Sequence, residues 1–156
     1  MIAACLLLAL IIGVLAGRRP RAVLKALAGV DEMSGADFEY YCAGLLRDNG
    51  FHNVRVTKGS GDYGADILCE KQGLTYAVQC KCRCAVIGVQ AVQEIYAAVR
   101  YYDCQAAAVL TNSAFSAAAK DLAEKTGVEL WDRERLSGLI SQALKPARLP
   151  KKEAGL

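Results

Sequence analysis

Hydrophobic residues recur along this chain at helical spacing in some segments and in alternation in others. Phe38, Tyr41 and Leu45 follow Ser34 at helical spacing until Asn49, which predicts a helix with Ser34 as its N-cap. Further helices are predicted at 89–102, 116–125 and 133–144. Alternating or short apolar runs predict strands at 51–57, 65–71, 74–83, 105–110 and 128–131. This order of elements predicts an α/β fold with a central mixed β-sheet flanked by helices.

Polar residues gather around the second and third predicted strands, which the turn Gln72-Gly73 should join as an antiparallel hairpin. A glycine-rich stretch leads into Asp66 at the start of one strand, and the next strand carries Gln79 and Lys81. Residues two apart in a strand share a face, so Gln79 and Lys81 project to one surface. Asp66 lies across the hairpin and can lean toward the same surface.

The order of these features resembles the catalytic domain of Mrr-like restriction endonucleases, in the PD-(D/E)xK nuclease superfamily. Its signature is a helix bearing Phe-Glu, a loop ending in Gly-x-Asp, and Gln-x-Lys on the following strand. The corresponding residues here are Phe38-Glu39, Gly64-Ala65-Asp66 and Gln79-Cys80-Lys81. The resemblance extends over about residues 33 to 136. It implies a restriction-endonuclease-like fold and metal-dependent hydrolysis of DNA.

The resemblance also implies a role for each side chain of the motif. Asp66 would be the central metal ligand, Glu39 a second carboxylate ligand and Gln79 a neutral oxygen ligand, with Mg²⁺ as cofactor and Mn²⁺ as a substitute. Lys81 would orient the nucleophile or stabilise developing charge. Ala65 stands where proline is usual, a change that carries no chemistry. Glutamine at position 79 removes one negative charge from the expected metal site, but Mrr-like domains share this glutamine.

Other polar residues have a simpler interpretation. Asp62 lies between glycines and is a minor candidate for assisting the metal, although such a residue is as often a turn former. Gln93 and Glu94 near the start of the following helix could face a substrate, as could Asn112 and Ser113 at the end of a strand. For these residues, turn and cap chemistry is the favoured interpretation.

The chain contains seven cysteines. Cys80, Cys82 and Cys84 alternate within a predicted strand, so they should share one face and pack as small buried side chains. A zinc site is the alternative interpretation, but zinc ligands usually come in pairs from two separate segments.

The first residues of the chain suggest a membrane anchor. Residues 1–17 carry no charge, and Arg18, Arg19 and Arg21 follow them. A bilayer-spanning helix takes about 20 apolar residues, so this stretch is at the lower limit. A cleaved signal peptide, the alternative, would carry its basic residues before the apolar stretch. We therefore expect one retained N-terminal transmembrane helix in the inner membrane, with the rest of the chain in the cytoplasm.

The predicted organisation is an anchor at 1–17, a basic juxtamembrane linker at 18–32, a nuclease domain at 33–144 and a basic tail at 145–156. The net charge of +3 comes from the flanks, which suit lipid headgroups and nucleic acid phosphates equally.

The expected function is that of a membrane-anchored endonuclease acting on DNA, with homodimerisation as a way to cut both strands. A role in restriction or defence against foreign DNA would suit that location. The alternative is a nuclease-fold module with weak or absent catalysis that binds DNA or partners at the membrane.

Overall fold

The computed structural model of the protein describes residues 20–57 and 63–145. Within these ranges the helices are α1 (20–31), α2 (Gly35–Asp48), α3 (Val89–Tyr101), α4 (Ala117–Thr126) and α5 (Arg133–Ala143). The strands are β1 (His52–Val56), β2 (Ile67–Lys71), β3 (Leu74–Lys81), β4 (Ala106–Thr111) and β5 (Glu129–Trp131). Every element from α2 onward lies within two residues of its predicted bounds. The predicted anchor at 1–17 and residue Asp62 lie outside the described residues, as does the tail from residue 146.

The strands form one mixed sheet in the order β1-β2-β3-β4-β5. β1, β2 and β3 pair antiparallel, whereas β4 and β5 run parallel to β3. Gln72 and Gly73 join β2 to β3 with φ angles of 52° and 80°, which is the geometry of a tight hairpin turn with positive φ at both central residues. The predicted mixed sheet and hairpin are therefore confirmed.

Helices cover both faces of the sheet, and alternation along the strands separates two cores. The core on the side of α1, α2 and α5 includes Phe38, Leu46, Ile67, Val78, Leu110 and Leu136. The core on the side of α3 and α4 includes Leu68, Ala77, Val92, Ile95 and Val109. Gln79 has the strand parity of Ala77, so its side chain leaves β3 on the α3 side.

The helix ends carry residues that usually cap or stop helices. Ser34 caps α2, its hydroxyl accepting a hydrogen bond from the Asp37 amide at 3.2 Å. Ser116 and Asp132 cap α4 and α5 in the same way. Helix α4 stops at Gly127, whose φ of 73° is left-handed, a conformation that glycine adopts without steric cost.

Helix α1 occupies part of the segment for which the sequence analysis predicted a basic linker. Its Val23, Leu27 and Val30 are buried and recur at helical spacing, so one face of α1 packs onto the core. No helix in the described part of the chain is long and apolar enough to cross a membrane. The structure therefore adds a core-packed helix that the sequence analysis did not predict.

A partly exposed ion pair ties the end of α1 to the start of α5. Both oxygens of Asp31 accept from the Arg133 guanidinium, at 2.7 and 2.8 Å. The Asn112 amide donates to the same carboxylate at 3.0 Å. The hydrogen bonds from Arg133 lower the pKa of Asp31, so this bidentate contact favours the charged form and holds α1 against the domain.

The alternating cysteines do not share one environment, because β3 ends at Lys81. Cys80 is buried, Cys82 is half-buried and Cys84 is exposed. The prediction of three buried thiols is therefore right for Cys80 and wrong for Cys84.

Candidate active site

Three of the predicted site residues meet at one end of the sheet. Asp66 directly precedes β2, while Gln79 and Lys81 lie at the end of β3. Ile67 pairs with Val78 across the hairpin, so the next step along both chains sets Asp66 opposite Gln79. The hairpin alone thus gathers a carboxylate, an amide and an amine, as the sequence predicted.

Backbone contacts hold Asp66 in place. Its amide donates to the carbonyl of Val78 at 2.9 Å, and its carbonyl accepts from the Thr57 amide at 2.9 Å. Its carboxylate accepts a hydrogen bond from the Cys80 amide at 2.6 Å. The carboxylate is therefore anchored to β3 between the positions of Gln79 and Lys81.

Gln79 and Lys81 both contact Glu94, which α3 presents to this side of the sheet. The distances are 2.7 Å from Gln79 Nε2 and 3.1 Å from Lys81 Nζ to the same oxygen, Glu94 Oε2. Gln90 Nε2 donates to the other oxygen, Oε1, at 2.8 Å. Burial acts to raise the pKa of Glu94, but the hydrogen bonds from Gln79 and Lys81 outweigh it and the pKa is lowered. Glu94 is thus held as a carboxylate with both oxygens in use.

The side-chain oxygen of Gln79 lacks a hydrogen-bond partner among the described residues. Gln79 is 2 % exposed, and its Oε1 atom is buried with no hydrogen-bond partner in the described part of the chain. A buried acceptor without a partner costs about 1–3 kcal/mol. A divalent cation with oxygen ligands would satisfy it, since amide and carboxylate oxygens are the ligands that Mg²⁺ prefers. The residues present therefore fit such an ion.

Glu39 approaches from α2, across the sheet from Glu94. Hydrogen bonding with Cys42 and burial raise the pKa of the Cys80 thiol, and the charges of Asp66 and Glu39 raise it further. Within the described ranges, no three His, Cys, Asp or Glu side chains form a cluster that could hold a metal; Gln79 would add a neutral oxygen to the two predicted carboxylate ligands. The assignment of Glu39 as a metal ligand stays a prediction.

A glycine lets the loop before Asp66 approach α3 closely. Gly64 has a φ of 93°, and a Cβ atom there would lie 3.1 Å from Glu94 Cβ and 3.2 Å from the Glu94 carbonyl carbon and oxygen. Any side chain at this position would press on the helix turn that carries Glu94. Gly64 thus permits the contact between the loop and α3 that brings Asp66 and Glu94 to one site.

Comparison with known families identifies the domain. The family model of the Mrr catalytic domain, described as a restriction endonuclease, matches residues 30–140. The chain belongs to this family. Among curated proteins, none matches the chain.

Solved structures show the same fold around this Mrr-type domain. The DNA modification-dependent restriction endonuclease AspBHI has a TM-score of 0.58 at 17% identity, covering 81% of this chain and 36% of its own. The restriction endonuclease MspJI, solved in complex with a 27-mer oligonucleotide, has a TM-score of 0.57 at 16% identity, covering 80% and 31%. AF1548, a protein of unknown function, has a TM-score of 0.52 at 22% identity, covering 60% and 55%. The chain spans about half the length of AF1548 and about a third of the two restriction enzymes.

Glu94 makes more contacts in the candidate active site than the sequence analysis predicted. It received a cap or turn interpretation, yet it makes three side-chain hydrogen bonds at the centre of the site. A signal for Glu94 was present in the sequence: it is the only acidic residue of α3, the helix that connects the parallel strands β3 and β4.

The other minor candidates have structural roles or point elsewhere. Asn112 is buried; its Oδ1 accepts from the Arg83 amide at 2.8 Å and its Nδ2 donates to Asp31. The Ser113 amide donates to the Thr111 hydroxyl at 3.1 Å. Gln93 is exposed on the helix turn beside Glu94. These contacts agree with the turn interpretation of Asn112 and Ser113.

A cleft opens beside Lys81 and Glu94. It has a volume of about 180 Å³ and is also lined by Arg83, Gly88 and Gln90. A larger cavity of about 810 Å³ lies on the opposite side of Arg83, between α1 and α5, and none of the four predicted site residues lines it. The smaller cleft, which Lys81 and Glu94 line, therefore opens onto the candidate active site.

Proposed function

We propose that this Mrr-type domain is a Mg²⁺-dependent endonuclease that hydrolyses phosphodiester bonds of DNA. The observation that carries the proposal is the unpartnered, buried Gln79 Oε1, on the strand that also carries Lys81 and opposite the anchored carboxylate residue Asp66. The description of MspJI in complex with an oligonucleotide supports DNA as the substrate. Restriction of foreign DNA is the biological role that the family suggests.

Asp66, Gln79 and Glu39 would hold the cation. Its bound charge would polarise the phosphate and lower the pKa of a water molecule, with Mn²⁺ as a substitute for Mg²⁺. Asp66 suits a central role because the hydrogen bond from the Cys80 amide fixes the direction of its carboxylate. A carboxylate that is already oriented loses little freedom when it binds an ion.

Lys81 would act on the reacting groups directly. Its side chain is 23% exposed and directs one N–H at Glu94, and an ammonium has three N–H donors. The remaining donors would orient the attacking water and stabilise negative charge on the phosphate oxygens. The contact with Glu94 keeps the flexible side chain at the mouth of the cleft.

Cleavage of supercoiled plasmid by the full chain tests this proposal. We expect nicking with Mg²⁺ or Mn²⁺ and none with EDTA. Lys81→Met should reduce the rate by about 10²–10³-fold, the usual cost of removing a donor that stabilises transition-state charge. Lys120→Met, which alters an exposed lysine of α4, is the matched control and should cut normally.

Two results would count against catalysis. A folded chain that cuts neither DNA nor RNA with either metal, or Lys81→Met cutting as well as the control, would leave the catalytic role without support. Retained DNA binding in a mobility-shift assay would then favour the alternative, a binding module of the nuclease fold.

We further propose that the chain is held at the inner membrane by residues 1–17, with the Mrr-type domain in the cytoplasm. The support is the uncharged stretch followed by Arg18, Arg19 and Arg21. Full-length protein should sediment with membranes and resist alkaline carbonate, whereas a chain that begins at residue 18 should be found in the supernatant. Equal partition of both proteins would contradict the anchor. Homodimerisation stays a prediction.

A further inference from the structure

We propose that Glu94 is a positioning residue that selects the orientation of the Gln79 amide, so that a neutral glutamine can serve as a cation ligand. The inference rests on the proposed nuclease function and concerns how the same site is built. It assigns to α3 the orientation of the Gln79 amide, which the motif residues on the hairpin do not determine.

The argument begins with the two ends of the Gln79 side chain. One end is a hydrogen-bond donor and the other an acceptor, and only the oxygen can bind a cation. Glu94 as a carboxylate accepts hydrogen bonds but donates none, so it takes the Nε2 end at 2.7 Å. The reverse orientation would set two acceptor oxygens against each other. Glu94 therefore turns Oε1 away from α3, into the buried position where it lacks a partner.

Glu94 also places a negative charge beside a ligand that has none. The same oxygen that accepts from Gln79 pairs with Lys81 Nζ at 3.1 Å. A carboxylate at position 79 would offer oxygens in either orientation and could pair with Lys81 itself. With glutamine there, the orientation of the amide and the partner of the lysine both depend on Glu94.

The carboxylate of Glu94 is in turn held firmly. Gln90, one helix turn earlier, donates to its other oxygen at 2.8 Å. Its neighbour Ile95 is fully buried, and Gly64 allows the loop before Asp66 to rest against the Glu94 backbone. A side chain fixed at both oxygens and at its backbone can impose one orientation on its partner.

Mn²⁺ binding to the full chain, measured by titration calorimetry, tests the inference apart from catalysis. Glu94→Gln removes the charge but little volume, and it lets the paired amides at 79 and 94 adopt either orientation. We expect Mn²⁺ affinity to fall about 10–100-fold, the usual effect of losing a residue that orients a metal ligand. Glu124→Gln on α4, which is exposed, is the control and should bind as the unchanged protein does.

The decisive variant exchanges the two side chains. Gln79→Glu combined with Glu94→Gln keeps the net charge and the hydrogen bond between the positions, and supplies a carboxylate oxygen whichever way residue 79 turns. We expect this double variant to regain Mn²⁺ affinity to within about tenfold of the unchanged protein. A merely structural Glu94 predicts that Gln79→Glu raises the affinity by the same factor whether residue 94 is glutamate or glutamine, whereas the positioning role predicts a larger gain in the Glu94→Gln background.

The outcomes separate this inference from the proposed function. If the unchanged chain binds Mn²⁺ and cuts DNA but Glu94→Gln binds equally well, or if the exchanged pair stays as weak as Glu94→Gln, the positioning role is overturned and the nuclease remains. If the unchanged chain neither binds Mn²⁺ nor cuts, both proposals fall. Thermal unfolding of each variant shows that the affinities compare folded proteins.

Discussion

Asp66→Asn is expected to lower the rate of metal-dependent DNA cleavage by about 10³-fold or more, which corresponds to at least about 4 kcal/mol of transition-state stabilisation. Asparagine retains the shape of the side chain, and its oxygen can still accept from the Cys80 amide, a contact of 2.6 Å in the unchanged protein. The fold should therefore survive. What disappears is one of only two carboxylates in a predicted cation site whose third member, Gln79, is neutral.

Initial rates of plasmid nicking over a range of Mn²⁺ concentrations would measure this effect. Asp121→Asn is a suitable control, since Asp121 lies on the surface of α4, where its carboxylate pairs with Lys125 at 3.0 Å. We expect the control to match the unchanged protein at every metal concentration. Near-normal cleavage by Asp66→Asn would mean that the cation is held elsewhere and that the Gly-x-Asp motif serves the turn alone.

The part of the site that could be predicted is the part built by the hairpin. Asp66, Gln79 and Lys81 come together through the turn at Gln72-Gly73 and through the register of two strands adjacent in sequence. Hairpin turns and strand alternation are local signals. The end of α2 and the cap at its start are equally local, and both were predicted to the residue or close to it.

The part that could not be predicted depends on helices packing from opposite faces. Glu94 gained its role because α3 crosses over the Gln79 face of β3, and only the tertiary fold brings it within 2.7 Å of that amide. Glu39 lies on the other side, with α2. A helix position shows which side chains share a face, but it does not show which strand residue they meet. Glu39 therefore entered the predicted site only through the resemblance to Mrr-like domains, and Glu94 stayed a minor candidate.

Helix α1 shows a second limit. Arg21 and Lys25 in α1 follow Arg18 and Arg19 and gave the segment the charge of a linker, while Val23, Leu27 and Val30 carried the helical signal. Basic residues on the solvent face of an amphipathic helix are ordinary. Similarly, alternation placed Cys84 with Cys80, but alternation holds only while the strand continues, and β3 ends at Lys81.

Phe38→Ala should destabilise the domain by about 3–5 kcal/mol, the usual cost of truncating a fully buried phenylalanine. Phe38 has 0% exposure and lies in the core with Cys42, Leu46 and Leu136. Since domains of this size are stable by about 5–15 kcal/mol, the loss would take a large share of the total. Urea denaturation followed by circular dichroism would measure it, and a change below about 1 kcal/mol would show that α2 is not needed for the core.

The next residue on the same helix provides the matched comparison. Glu39 is half-buried, and Glu39→Gln preserves its volume, so we expect a change in unfolding free energy of about 1 kcal/mol or less. If Glu39 is the second carboxylate of the cation site, cleavage should nevertheless fall, whereas a Phe38→Ala protein that remains folded at low temperature should retain it. The two residues of the Phe-Glu motif would then serve different purposes: Phe38 packs α2 into the core, and Glu39 binds the cation together with Asp66. Normal cleavage by Glu39→Gln would instead exclude Glu39 from the cation site. Phe38 would remain a core residue, and Asp66 would be the predicted carboxylate ligand.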